Sequence, residues 1–318
     1  MSSEPQTLVE AIRHFADPDV TLNTIVELRW PNGVHCPTCG RTDVRFIGTR
    51  RVWECKEKHP KRQFSAKIGT IFEDSPLGLE KWFSAIWMIA NCKNGVSSYE
   101  VHRAIGVTQK TAWFMLHRIR LAMETGSFLK ASGPAEADET FIGGLAKNMH
   151  KARKAKVITG TGGAGKAVVM GVLRRGSGAE PSKVVAKHIP DTGAASLHPV
   201  VKAAVEAGSE LYTDTHKGYR GLSPEYVHQA VDHSIEYVRG AVHTNGLENF
   251  WSLFKRALKG TYVSVEPVHL NRYVTEQTFR FNERKVNDGS RFRKVLASVA
   301  GKRITYKELI GHGQAAVA

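Results

Sequence analysis

The stretch Glu136-Ala-Asp-Glu-Thr-Phe-Ile-Gly-Gly144 decides how the rest of the chain is read. Its residues 137–142 have strand texture and run into a Gly pair that marks a turn. Two more strands are predicted over 167–173 and 183–189, joined by Gly-rich or Ser-rich turns, followed by a helix over 194–207 and a strand over 210–214. Residues 234–238 supply a candidate fifth strand, and from Leu247 to Phe281 the pattern is helical with a break near Tyr262 to Pro267. Asp138 therefore lies on the first strand, Asp214 ends a later one, and Glu248 begins the long helix.

Three strands, a helix, a strand, a helix, a strand and a helix is the order expected of an α/β ribonuclease-H-like mixed sheet. Hydrophobic pattern alone leaves the strand order open. Upstream, residues 131–135 contain Gly133 and Pro134 and read as a linker. Helical periodicity precedes it from Leu79 to Leu129, enough for about three helices, carried by Trp82, Ile86, Trp87 and Ile89 and then Val101, Ile105, Ala112, Leu116 and Ile119. Residues 34–64 have the Cys, Gly and Arg texture of a small metal ribbon, and Leu8, Ile12 and Phe15 give a helical lead-in. The chain thus reads as multidomain: a lead-in over 1–30, a ribbon over 31–75, a helical region over 76–130, the mixed-sheet domain over 131–285 and a C-terminal tail over 286–318. No internal repeat or low-complexity tract interrupts it.

The 318 residues carry 45 Lys+Arg against 30 Asp+Glu, a formal charge of +15. An excess of this size points to a polyanion, because cations that neutralise phosphates gain free energy from counterion release. It is spread along the chain, which favours an extended nucleic-acid contact over a membrane-lying helix. With 42% hydrophobic residues, a mean hydropathy of −0.29 and no apolar run near the roughly 18 residues of a span, a soluble globular protein without a membrane partner is expected. The polar, acidic N-terminus is not a signal peptide, and four cysteines do not make a secreted disulfide scaffold. A reduced, cytoplasmic compartment is expected.

Cys36-x2-Cys39 followed by Cys55 and His59 offers three thiolates and an imidazole, the ligand types a tetrahedral structural Zn²⁺ prefers. So small a segment needs such a staple. His35 is an alternative ligand, and the competing reading is a pair of buried cysteines unrelated to Cys55 and His59. Cys92, on an apolar helical stretch, reads as a core thiol. Residues 96–105, then Gly106-Val-Thr108, then 109–120 have the texture of a helix-turn-helix with Gly106 in the turn and Thr108 as N-cap. Its second helix would present Gln109, Lys110 and Thr111 to a major groove, with His117, Arg118 and Arg120 near phosphates; an ordinary helical hairpin with a basic face is the alternative. Gly160-Thr-Gly-Gly-Ala-Gly-Lys166 satisfies G-x-x-x-x-G-K, but Ala167 replaces the Mg²⁺-binding hydroxyl and a strand comes next where a phosphate-binding helix should open, so it reads as a hairpin loop.

Asp138, Asp214 and Glu248, from two strands and a flanking helix, are a set that can converge on two Mg²⁺ or Mn²⁺ ions, as phosphodiester chemistry requires. Lys255 lies seven residues after Glu248, close to two helical turns, and so on the same face. Arg256 and Lys259 extend a basic strip for DNA, while Trp251 and Phe254 are expected in the core.

The ribbon Cys36-Pro-Thr-Cys39, Phe64-Ser-Ala-Lys-Ile-Gly-Thr-Ile-Phe72, Asp138-Glu-Thr-Phe-Ile-Gly-Gly144, Asp214 with Lys217-Gly-Tyr219, and His243-Thr-Asn-Gly-Leu-Glu-Asn-Phe-Trp-Ser-Leu-Phe-Lys-Arg256 closely resemble insertion-sequence transposases of the zinc-ribbon DDE class. The resemblance covers nearly the whole chain, and the last two segments are its most specific parts. It implies a bacterial DNA transposase with a ribonuclease-H-like core, Asp138, Asp214 and Glu248 as metal triad, and Lys255 as basic companion. Relatives with Asn at the third position make Asn245 or Asn249 alternatives to Glu248. Terminal inverted repeats and target DNA are the expected partners, bound by a homodimer or higher oligomer, since chemistry on two ends requires at least two active sites. The competing functional reading is a non-catalytic DNA-binding regulator or decayed transposase.

Overall fold

The computed structural model describes residues 5–126, 128–143, 165–178, 180–231, 240 and 242–311. The chain divides into two compact units, residues 1–125 with 286–318, and residues 126–285.

In the first unit, α1 (Leu8–His14) starts with a Thr7/Glu10 capping box and α2 (Pro18–Arg29) with the Asp17 cap ahead of Pro18. Side-chain acceptors there satisfy amides that have no partner in the first turn. The ribbon is an antiparallel sheet of β1 (Val44–Ile47), β2 (Val52–Cys55) and β3 (Gln63–Phe64) in the order β1-β2-β3. Trp53 packs its indole against Trp30 and Phe64, so the ribbon shares its small core with the end of α2. Next come α3 (Leu79–Asn91), α4 (Ser98–Ile105) and α5 (Gln109–Ala122). The turn between α4 and α5 has the expected chemistry: Gly106 takes φ +65°, which glycine adopts without a Cβ clash, and Thr108 accepts the Thr111 amide.

Two expectations for this unit are corrected. The segment 286–318 is not a tail as far as it is described: α9 (Asp288–Ala297) seats Phe292 against Phe15, Phe83 and Trp87, and a short α10 (Tyr306–Leu309) comes after it. Cys92 is an exposed residue at the C-cap of α3, where the apolar helix face has ended, and not a core thiol.

The second unit is a five-stranded mixed sheet. Its strands are β4 (Ala135–Ile142), β5 (Ala167–Arg174), β6 (Lys183–Ile189), β7 (Glu210–Asp214) and β8 (Val227–Val231), in the order β6-β5-β4-β7-β8. β4 pairs antiparallel with β5 and parallel with β7. The run Val168-Val-Met-Gly-Val-Leu173 is apolar without alternation because both of its faces are covered. Val168, Met170 and Val172 face a cluster with Leu197 and Val201 of α6 (Ala194–Ala204), whereas Val169 and Leu173 face Leu247, Phe250, Trp251 and Phe254 of α7 (Asn245–Ala257). After one π-helical turn, Leu258–Tyr262, the chain continues as α8 (Pro267–Asn282).

The presumed linker 131–135 belongs to this unit, since Ala131 and Ala135 are fully buried and Ala131 bonds Ala204 and Glu206 through its backbone. The expected helix between the fourth and fifth strands is a single 3-10 turn, Lys217–Tyr219. The fifth observed strand is β8; residues 234–238, expected to fill that place, lie outside the described residues, as do 160–164 of the Gly-rich loop. The chain leaves that loop as strand β5, as anticipated, and no helix opens there. Among the described residues no helix is long and apolar enough to cross a membrane.

Candidate functional site

Two donor sets stand out, one in each unit. In the ribbon, the Cys36-Pro-Thr-Cys39 turn is closed by the Gly40 amide on the Cys36 carbonyl and the Cys36 amide on the Arg41 carbonyl, both at 2.8 Å. Gly40 takes φ +75° there, a conformation that favours glycine. β2 and the loop after it bring Cys55 and His59 to the same point, so that the ligand atoms of Cys36, Cys39, Cys55 and His59 all lie within 4.8 Å of one another. Cys36 Sγ is 3.4 Å from His59 Nε2, and Cys39 Sγ is 3.6 Å from Cys55 Sγ. A zinc tetrahedron with usual bond lengths has edges of roughly 3.6 to 3.8 Å, so the set fits that ion. His59 Nδ1–H donates to the Pro60 carbonyl at 2.7 Å, which leaves Nε2 as the free lone pair. Burial pushes the Cys36 thiol up, but the amides of Cys39 and Thr38 and the neighbouring thiols outweigh it and bring it down to about 7, while burial raises Cys55. His35 takes no part; its ring meets Trp30.

The second set is built on β4. Side chains alternate across a strand, so Glu136 and Asp138 share the α7 face while Ala135, Ala137 and Glu139 share the other. The parallel register of β4 and β7 runs Ala135↔Leu211 and Glu136↔Tyr212, and Asp138 and Asp214 each follow that pairing by two residues on their own strands. Trp251, on the buried side of α7, donates its indole N–H to Asp138 Oδ2 at 2.9 Å. Gly171, opposite Asp138 on β5, makes room for it: a Cβ there would stand 2.9 Å from both Trp251 and Leu247. Burial, the Glu139 charge and the Asp214 charge raise Asp138 to about 7, against the Trp251 hydrogen bond that lowers it. Burial also raises Glu139, which accepts from Tyr219 Oη at 2.6 Å and lies 3.8 Å from His216 Nδ1. Asp214 accepts the His216 amide at 2.9 Å, a turn that holds its carboxylate at the end of β7.

Glu248 is exposed in the first turn of α7, three residues before Trp251, and Lys255 is exposed four residues after it. Arg256, Lys259, Asn245 and Asn249 are exposed as well. Asp138 and Asp214 are therefore brought together, and Glu248 is carried on the helix anchored above them. Among the described residues, the ribbon set is the one whose donor atoms lie within 4.8 Å of one another. Trp251, Glu139 and Glu136 join the site only in the fold; the adjacent acids Asp138-Glu139 are the one sequence signal that points to Glu139.

On α5 the candidate DNA-contact residues fall into two groups. Lys110 is exposed, with its ammonium over the Tyr306 ring at 4.6 Å; Gln109 donates to Ser98 at 2.8 Å, and Thr111 shares a hydrogen bond with Thr108. Arg118 and Arg120, assigned to DNA phosphates, are 4% and 1% exposed, and His117 is fully buried. Arg118 donates to the Glu73 carbonyl at 2.6 Å and lies over the Phe114 and Trp82 rings. Packing on all sides of the second half of α5 removes these groups from any phosphate.

Residues 130–282 match the model of the ISXO2-like transposase domain, and residues 19–57 match that of the transposase zinc-ribbon domain. A transposase-like protein of Haemophilus influenzae is 30% identical over 105 residues, 33% of this chain and 85% of the relative. The chain belongs to the zinc-ribbon insertion-sequence transposases. A protein in the transposable element ISH50 of Halobacterium salinarum is 27% identical over 267 residues, 78% of this chain and 85% of its own length. No solved structure gives a significant match. The transposase-domain match encloses Asp138, Asp214, Glu248 and Lys255, and the ribbon match encloses the three cysteines and stops two residues short of His59.

Proposed function

We propose that this transposase binds transposon-end DNA through its first unit and cuts and joins DNA strands with a ribonuclease-H-like second unit. The observation that carries this reading is the placement of Asp138 and Asp214 on paired parallel strands, near enough that the Asp214 charge raises Asp138, with α7 fastened to Asp138 by Trp251. Two Mg²⁺ or Mn²⁺ ions held by Asp138, Asp214 and Glu248 would activate a water or 3′-hydroxyl and stabilise the leaving oxygen of an in-line displacement. The donors fit hard divalent cations: burial and neighbouring carboxylate charge raise the proton affinity of Asp138 and Glu139, and a half-buried cluster of like charge calls for a counter-cation. Trp251 fixes the Asp138 rotamer by holding one oxygen. Lys255 meets a DNA phosphate on the Glu248 face, with Arg256 and Lys259 continuing the contact. Asn245, three residues before Glu248, and Asn249, one residue after it, are the alternative third donors.

On the first unit, Lys110, with Gln109 and Thr111 beside it at the start of α5, is the point at which the hairpin meets DNA, next to a ribbon stapled by Zn²⁺. Two copies of the chain act on two ends.

The test is cleavage and joining of a labelled duplex carrying the element's end, in Mg²⁺ or in EDTA. Wild type is expected to nick only with metal; Asp138→Asn and Glu248→Gln are expected to lose nicking by at least about a thousandfold and to bind the duplex as tightly as wild type. Tight binding with no cleavage by wild type in Mg²⁺ or in Mn²⁺ added in its place would establish the DNA-binding regulator instead.

A further inference from the structure

The elements that carry the three carboxylates all meet one arginine, one layer away from the carboxylates themselves. Arg175 directly succeeds β5. Its Nε donates to Glu136 Oε1 at 2.8 Å, its Nη2 donates to the His243 carbonyl at 2.8 Å and to His243 Nδ1 at 2.9 Å, and its guanidinium carbon lies 4.5 Å from the centre of the Tyr212 ring. Glu136 precedes Asp138 by two residues on β4, and its register partner Tyr212 precedes Asp214 by two residues on β7. His243 lies just before α7, whose first turn holds Glu248.

Glu136 completes the connection. Its Oε2 accepts the Leu247 amide at 3.0 Å, in the first turn of α7, where Thr244 supplies no side-chain cap. A strand carboxylate thus replaces the local N-cap and stands at the positive end of the helix dipole. The approach depends on Gly246, where a Cβ would come within 2.8 Å of Glu136 Oε2. Glu136 is 1% exposed, so its charge requires the partners that Arg175 and α7 provide.

We propose that Arg175 is a positioning residue that, through Glu136, Tyr212 and His243, sets the relative placement of Asp138, Asp214 and Glu248. This rests on the reading of those three as metal ligands. The guanidinium suits the task because its rigid planar fork addresses Glu136 and His243 at once while its face lies on the Tyr212 ring; a lysine ammonium can pair with Glu136 but cannot hold all three.

The experiment uses the full chain with Arg175→Lys and Arg175→Gln, each checked for folding by circular dichroism, and three measurements: Mn²⁺ affinity by calorimetry, amide exchange of residues 245–250, and single-turnover nicking of the end duplex. Folded variants are expected to bind the duplex as wild type does, to lose about 10- to 100-fold in Mn²⁺ affinity, and to exchange the Leu247 amide at least about tenfold faster. Nicking should fall in parallel and recover in part at high Mn²⁺, which loss of folded protein would not do. Wild-type Mn²⁺ affinity and exchange in a folded Arg175→Gln variant would overturn the proposal. If that variant does not fold, Gly246→Ala, which drives Glu136 from the helix end, is expected to give the same two losses, and their absence there would overturn it equally. A wild type that neither binds Mn²⁺ nor cuts DNA removes the proposed function, while the exchange rates still decide whether Arg175 and Glu136 hold the start of α7.

Discussion

The ribbon and the carboxylate face are both donor sets, and they are assembled in opposite ways. The ribbon draws its four donors from residues 36 to 59 and closes them to within 4.8 Å by two local turns. The carboxylates come from residues 138 to 248, on two strands and a helix, and among the described residues they do not close into such a cluster. Charge accounts for part of the contrast. Thiols can approach one another as neutral groups, whereas carboxylates repel, and that repulsion adds to burial in holding the Asp138 proton up to about 7. A site of short sequence span is specified by turns; a site of long span needs buried machinery to place it.

That contrast is broken most severely at the ribbon. Chelation of zinc, or Cys39→Ser, is expected to unfold the ribbon, because structural zinc contributes on the order of 10 kcal/mol in such modules. Limited proteolysis should then cut within 31–75 while residues 126–285 survive; a ribbon that keeps its protection without zinc would show that the aromatic contacts of Trp53 suffice.

At the carboxylate face the expected effect is smaller and depends on pH. Asp138 binds its proton more tightly in the folded protein, at about 7 against an ordinary 3.8. Its contribution to stability is therefore greatest below about pH 4 and is lost as pH rises to about 7, by up to roughly 4 kcal/mol. Without divalent metal, Asp138→Asn should remove that part of the slope and leave the second unit more stable than wild type at pH 7. Mg²⁺ should stabilise wild type there and leave the variant unchanged. Thermal melts from pH 4 to pH 8 read both.

The finest comparison concerns the slot for Trp251. Gly171→Ala places a methyl 2.9 Å from Trp251 and Leu247, neither of which is free to move within the core. Overpacking of this kind costs about 1–3 kcal/mol. Urea midpoints should fall accordingly, with a change in tryptophan fluorescence as the indole leaves Asp138. An unchanged midpoint would mean that the α7 face yields more easily than the contacts imply.

Much of this was legible in the residues. The bounds of β6 and β7 come from apolar and β-branched runs between turn signals, and the α4–α5 turn from Gly106 and Thr108, because these are local properties of the backbone. The course of residues 288–309 was not legible. Asp288-Gly-Ser-Arg-Phe-Arg-Lys reads as a polar surface segment, yet Phe292, buried with Val295 and Leu296 of the same helix, seats it among Phe15, Phe83 and Trp87. Arg118 and Arg120 misled for a related reason. A basic residue in a DNA-binding chain reads as a phosphate contact, but an arginine stem packs as well as an apolar side chain and its head can bond a buried carbonyl, as Arg118 does at Glu73.

By itself, the sequence determined the donor chemistry: three cysteines and a histidine within one small module, and three acids distributed over strand, strand and helix in a chain of net charge +15. It determined these because residue type, spacing and hydrophobic period are local quantities. Only the tertiary structure decided that Asp138 and Asp214 stand on neighbouring strands, that Trp251 reaches one of them across Gly171, and that Glu136 and Arg175 hold the start of α7. Those facts depend on strand register and on contacts between residues as far apart as Glu136 and Leu247, which no local pattern encodes.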